Sequence, residues 1–178
     1  MAPLNIYDAS IGVFISGQNV LLDLLKKAAA TAEADSLAAA RLIEDMLPLT
    51  FQVQATSNTS KKAIGHLTGN VIEAWEDDEK TLPELIARVE KTLALLKSID
   101  PKSVIGVDDK IIDLTLGKRG TFKVPVSTYV LGFGLPNYFF HLNTAYSILR
   151  HKGVEIGKFD YLGPFLGPLL PAAEPAAE

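Results

Sequence analysis

Between residues 82 and 98 the apolar side chains fall at Leu82, Leu85, Ile86, Val89, Leu93 and Leu96. That three-and-four spacing makes one continuous stripe on an α-helix and no stripe on a strand. The end signals agree. Thr81 is a cap residue, Pro83 and Glu84 suit a first turn, and Asp100-Pro101 stops the run. A helix with one apolar face buries it against neighbours, so the rest of the chain is read for helices of the same kind.

Residues 10–33 repeat the period with Ile11, Phe14, Ile15, Leu21, Leu22 and Leu25, with Asp8 as a candidate cap. Residues 36–46 read as a short helix capped by Ser36. Residues 49–68 read as a second long helix that ends at Gly69. The period changes at 110–126, where KIIDLTL and TFKVPV flank Gly117-Lys118-Arg119-Gly120 as a hairpin. A last helix spans about 127–151, with Pro136 inside it as a source of a kink. Residues 70–80 read as a solvated acidic loop, and the Pro/Ala/Glu-rich end is expected to be extended or disordered beyond about residue 165. The expectation is an all-α chain: a four-helix bundle with a small β-hairpin before the last helix, one domain over 1–163 and a tail over 164–178.

Bulk composition narrows the function. The 178 residues are 48% hydrophobic and 21% charged, as in a packed globule, and the formal net charge of −4 comes with no basic stripe for nucleic acid. The absence of cysteine excludes a disulfide scaffold, a thiolate metal site and a cysteine nucleophile. The N-terminus lacks signal-peptide features, and no apolar run approaches a membrane span. A cytoplasmic protein without membrane or nucleic-acid partners is expected. Phosphate-loop, dinucleotide-binding, His-Glu-x-x-His and nucleophile-elbow signatures are absent.

The informative residues are polar ones on apolar helices. Asn137 and His141 are four apart and share a face of the last helix, with Tyr138 beside them and Tyr146 further on. The helix over 49–68 brings Gln52, Gln54, Thr56, Asn58 and Thr59 close together, and Asp45 precedes it. If these groups face each other they form a polar pocket. The plainer reading is a hydrogen-bonded core histidine, solvent-facing amides and packed tyrosines.

The blocks DMLPLTFQVQ at 45–54 and LPNYFFHLNTAYSILRHKG at 135–153 resemble the DinB-like (YfiT-like) superfamily, and more narrowly an uncharacterised bacterial and fungal family within it. The resemblance runs over nearly the whole chain and implies a DinB-like four-helix bundle, often dimeric. Many such proteins hold a divalent metal with one His on the second helix and a His-x-x-x-His pair on the fourth. Counted back from Leu149-Arg150, the second His of that pair falls on His141 and the first on Asn137. Gln52 or Gln54 stands where the other His belongs. One imidazole and two neutral amides bind zinc or nickel poorly, so no cofactor is expected; a divalent metal, if present, would use His141 and Asp45.

The sharper expectation is a metal-independent acid/base enzyme acting on a small hydrophobic molecule: an isomerase, a lyase or dehydratase, or a cyclase. His141 is then the acid or base, Asn137 an oxyanion donor, and Tyr138 or Tyr146 a second proton donor. Gln52, Gln54, Asn58 and Asp45 would fix the substrate, with Phe51 and Phe140 among the walls. The fungal members resembling this chain imply a role in secondary metabolism. Two other readings stand beside it: a non-catalytic ligand-binding or scaffold protein, and a divalent-metal-dependent enzyme. The expected partners are the small molecule and a second copy in a homodimer.

Overall fold

The computed structural model describes residues 5–167. It is mostly helical, with one two-stranded antiparallel sheet. The long helices are α1 (Val13–Ala29), α3 (Leu49–Thr68), α4 (Leu82–Lys97) and α6 (Leu135–His151), with shorter α2 (Ala34–Leu37), α5 (Val126–Tyr129) and α7 (Lys158–Leu166). Helix α1 packs on α4, α6 and α7, while α3 packs on α4 and α6. Their apolar stripes meet in one core, with Phe14, Leu21 and Leu25 from α1, Val53 and Ile64 from α3, Leu85, Val89 and Leu96 from α4, and Leu142 and Ile148 from α6.

The signals around α4 hold in detail. The Thr81 hydroxyl accepts from the Glu84 amide, and the Glu84 carboxylate accepts from the Thr81 amide, a reciprocal capping box. Helix α3 ends at Gly69 with φ +80, the left-handed turn that glycine supplies at no steric cost. The hairpin pairs β1 (Ile111–Thr115) with β2 (Thr121–Pro125), with Ile112 opposite Val124 and Leu114 opposite Phe122.

Several expectations change. Asp8 does not cap α1. It pairs with Asn5 and opens a π-turn, Asp8–Gly12, that runs into the helix. Of the expected helix over 36–46 only Ser36 and Leu37 are helical, as the end of α2, so Ser36 lies inside that helix and does not cap it. The disturbance at Pro136 takes the form of a second π-turn, Val130–Gly134, after which α6 starts with Pro136 in its first turn, where a missing donor costs little. The hairpin therefore precedes not one last helix but α5, α6 and α7. Helix α7 crosses the 163/164 boundary with Pro164 inside it, and Lys27 anchors it to α1 through Asp160 at 2.5 Å. The remainder of the expected tail, 168–178, lies outside the described residues. None of the described helices is long and apolar enough to cross a membrane.

Candidate functional site

Helices α3 and α6 run side by side, and their facing stripes carry two polar pairs. The His141 ring nitrogen Nδ1 lies 2.8 Å from Gln52 Oε1. One turn earlier on α6, Asn137 Nδ2 donates to Thr59 Oγ1 at 2.9 Å. Gln52 and Thr59 are seven apart and so lie on one face of α3, as Asn137 and His141 do on α6.

The Gln52 amide fixes the chemistry of the imidazole. Its Nε2 donates to the Leu47 carbonyl at 2.9 Å, and a carbonyl can only accept. Oε1 is therefore the atom turned to the ring, and Oε1 also can only accept. This network assigns the His141 proton to Nδ1 and leaves Nε2 as a bare acceptor. Burial pushes the His141 pKa below its ordinary value, so the ring is neutral at pH 7. The Phe51 and Phe140 rings meet it edge-on at 5.7 and 5.2 Å.

Beside this pair lies a cavity of about 250 Å³ lined by Phe51, Gln54, Thr59, Tyr129, Phe133 and Asn137, with Asn58, Lys62 and Asp77 also on its wall. Phe51 belongs to both places: it lines the cavity and packs on His141. His141 itself stands behind Phe51 and is not among the lining residues.

The structure thus brings together Asn137, His141, Gln52, Phe51 and Phe140, and puts Gln54 and Asn58 beside them. Other expected members stand elsewhere. Tyr138 is fully buried in the core, edge-on to Phe14 at 4.9 Å, its hydroxyl a long 3.5 Å from the Phe14 carbonyl. Burial raises its pKa well above the ordinary phenol value, so it is a core aromatic and not a proton donor of the α3–α6 face. Tyr146 packs edge-on against Tyr161 of α7. Asp45 is exposed in the turns before α3 and has no hydrogen-bond or ion-pair partner among the described residues.

The acidic loop is the main correction. Far from being simply solvated, it closes over a buried arginine. The Arg88 side chain, 2% exposed, donates to Asp77 at 2.6 Å, Glu79 at 2.7 Å, the Glu76 carbonyl at 2.7 Å and Asn58 Oδ1 at 3.1 Å. Asn58 Nδ2 donates to Asp77 and Gln54 Nε2 to Glu79, so both amides help hold the loop. Burial alone would raise the Glu79 carboxyl, but hydrogen bonds from Arg88 and Gln54 bring it below its ordinary value. The ammonium groups of Lys61 and Lys91 both lie over the Trp75 ring, 3.9 and 4.2 Å from its centre. Arg88 was legible as a charge on the apolar stripe, between Leu85 and Thr92. Tyr129 was missed because it precedes a π-turn that no helical period reveals.

Residues 6–162 match the model of a family described as Domain of unknown function (DUF1993). The chain belongs to this family. The DUF1993 chain is also 31% identical to a solved DinB family member from Shewanella denitrificans, with a TM-score of 0.80 over 96% of both chains. This places it within the DinB-like superfamily. No curated protein matches the sequence.

The residues present do not fit the divalent metal of that superfamily. No three His, Asp or Glu side chains gather as a ligand group among the described residues. Asn137 and Gln52, beside the one imidazole, are neutral amides, and each already holds a protein partner.

Proposed function

We propose that the DUF1993 chain is a four-helix-bundle pocket protein that binds a small hydrophobic molecule between α3 and α6, where His141 moves a proton without a metal. Isomerisation, dehydration or lyase chemistry, and cyclisation can all use a neutral base of this kind. The observation that carries the reading is the Leu47–Gln52–His141 chain. It holds the imidazole in one tautomer with Nε2 free, which is how an orienting acceptor prepares a general base.

Deuterium exchange tests it. In D2O the wild-type chain is expected to exchange the methyl protons of 4-hydroxyacetophenone, and His141→Ala to slow that exchange by roughly 10²–10⁴-fold. Dialysis against EDTA is expected to leave the rate unchanged. Exchange that is absent from the wild type, or equal in the variant, rules out the acid/base reading. A second reading, non-catalytic binding, is favoured by Gln54 and Asn58 being taken up by the Arg88 loop; there His141→Ala alters only affinity. Exposed Leu47 and Phe140 flank the Gln52–His141 pair and favour the expected homodimer. A single-chain mass in solution at micromolar concentration would contradict that dimer.

A further inference from the structure

We infer that Tyr129 is the hydrogen-bond donor of the α3–α6 cavity and holds the carbonyl oxygen of a flat ketone or aldehyde one or two rings in size. The inference rests on the reading of this cavity as a ligand site and adds the class of ligand. Tyr129 is 1% exposed and lines the cavity, yet its hydroxyl has no partner among the described residues. A buried phenol normally finds one. It is not a sealed orphan either: the sealed, unpaired side-chain atoms among the described residues are Gln18 Oε1 and Arg88 Nε. The hydroxyl therefore keeps a route to a small polar group.

Its ring is held firmly. His66 meets it edge-on at 4.6 Å, Phe133 lies at 6.1 Å, and Gly134, at the end of the π-turn, packs against it. A rigid donor with an unused proton is pre-organised for an acceptor atom. Burial pushes the Tyr129 pKa up to about 12, so the group stays protonated and donates throughout the physiological range.

The other polar groups complete the match. Gln54 Nε2 is fixed on the Glu79 carboxylate, which can only accept, so Gln54 Oε1 is left as an acceptor for a ligand hydroxyl. Phe51 and Phe133 supply flat apolar walls. The volume of about 250 Å³ lies just below the roughly 300–1,000 Å³ of drug-sized pockets. Exposed Lys62 stands at the rim, without an ion-pair partner among the described residues, and favours negative charge building on the carbonyl oxygen.

The test compares 4-hydroxyacetophenone with 4-ethylphenol, which has the same ring and carbon skeleton without the carbonyl oxygen. In NMR titrations of the labelled full chain the ketone is expected to bind roughly tenfold tighter, with shifts at Phe51, Tyr129 and Asn137. Tyr129→Phe is expected to bring the ketone down to the level of 4-ethylphenol and to leave 4-ethylphenol unchanged. That variant removes only an unpaired hydroxyl, so its melting temperature is expected to hold. His141→Ala is expected to keep the preference for the ketone, which separates this inference from the acid/base reading. A preference that survives in Tyr129→Phe, shifts that map elsewhere, or no binding of either probe at millimolar concentration would overturn it.

Discussion

Arg88→Met is expected to destabilise the chain by about 3 kcal/mol, a fall of roughly 6–12 °C in melting temperature for a domain of this size. The methionine keeps the aliphatic packing of the buried stem but satisfies none of the acceptors. Asp77, Glu79, the Glu76 carbonyl and Asn58 Oδ1 all lose the guanidinium donor, Asp77 keeping only Asn58 and Glu79 only Gln54, and the loop over 70–80 loses the side chain that ties it to α4. Lysine is no substitute, since one ammonium cannot span acceptors placed around a planar fork. The same variant changes the acid response. The pKa of Glu79 is depressed in the folded chain, so its contribution is present above the unfolded value and lost as pH falls through the folded one. Arg88→Met is expected to remove that part of the acid transition. Urea unfolding at pH 7 and pH 4 measures both effects. A loss below about 1 kcal/mol at pH 7 would mean that the network is a surface ornament.

Gly17→Ala is the second large effect. A Cβ on Gly17 would lie 2.6 Å from Tyr138 Cε1 and 2.7 Å from its hydroxyl oxygen. The tyrosine cannot retreat, because Phe14 and Phe139 pack on it edge-on at 4.9 and 5.7 Å. The overlap is expected to cost about 1–3 kcal/mol beyond the roughly 1 kcal/mol that alanine gains over glycine in a helix. Adding Tyr138→Leu removes the clashing ring edge, so the double variant is expected to be more stable than the two single changes predict together. Thermal melts of the four proteins check this. Strict additivity would show that the ring moves aside, and would reopen a role for Tyr138 outside the core.

The long helices were legible because each carries a sustained apolar stripe and a clear stop: Thr81 and Pro83 before α4, Gly69 after α3. The hairpin was legible from the change of period around Gly117–Gly120. Helix α7 was not, since KFDYLGPFL contains Pro164 and three aromatics at spacings that suit a loop equally well. Its helicity comes from packing on α1 and from Asp160, which accepts from the Gly157 amide at 2.6 Å and pairs with Lys27. The π-turns escaped for a related reason. They add one residue to a turn, and a period of 3.6 cannot register that.

Within the site, the shared face of Asn137 and His141 followed from their i, i+4 spacing, whereas the meeting of that face with α3, and the choice of Gln52 over Gln54 as the partner of His141, are set by how the helices pack. The positions of Gln54 and Asn58 did not, because their partners lie in a loop that closes on Arg88 from outside the helical pattern. Tyr138 misled for a physical reason. It is the next residue after Asn137, about 100° around the helix, and that rotation carries it from the α3 side into the α1 core.

Asn137 and Gln52 are neutral amides, and in this chain each holds a neighbouring side chain across the α3–α6 face. A histidine facing His141 could join it in holding a cation. A glutamine anchored on the Leu47 carbonyl instead dictates which nitrogen of His141 carries the proton. The most direct measurement is a long-range 15N–1H correlation spectrum of the His141 ring, followed from pH 8 to pH 5. The account predicts the proton on Nδ1, a bare Nε2, and titration below the ordinary value of 6.5. A proton on Nε2, or a ring that titrates above 6.5, would contradict it.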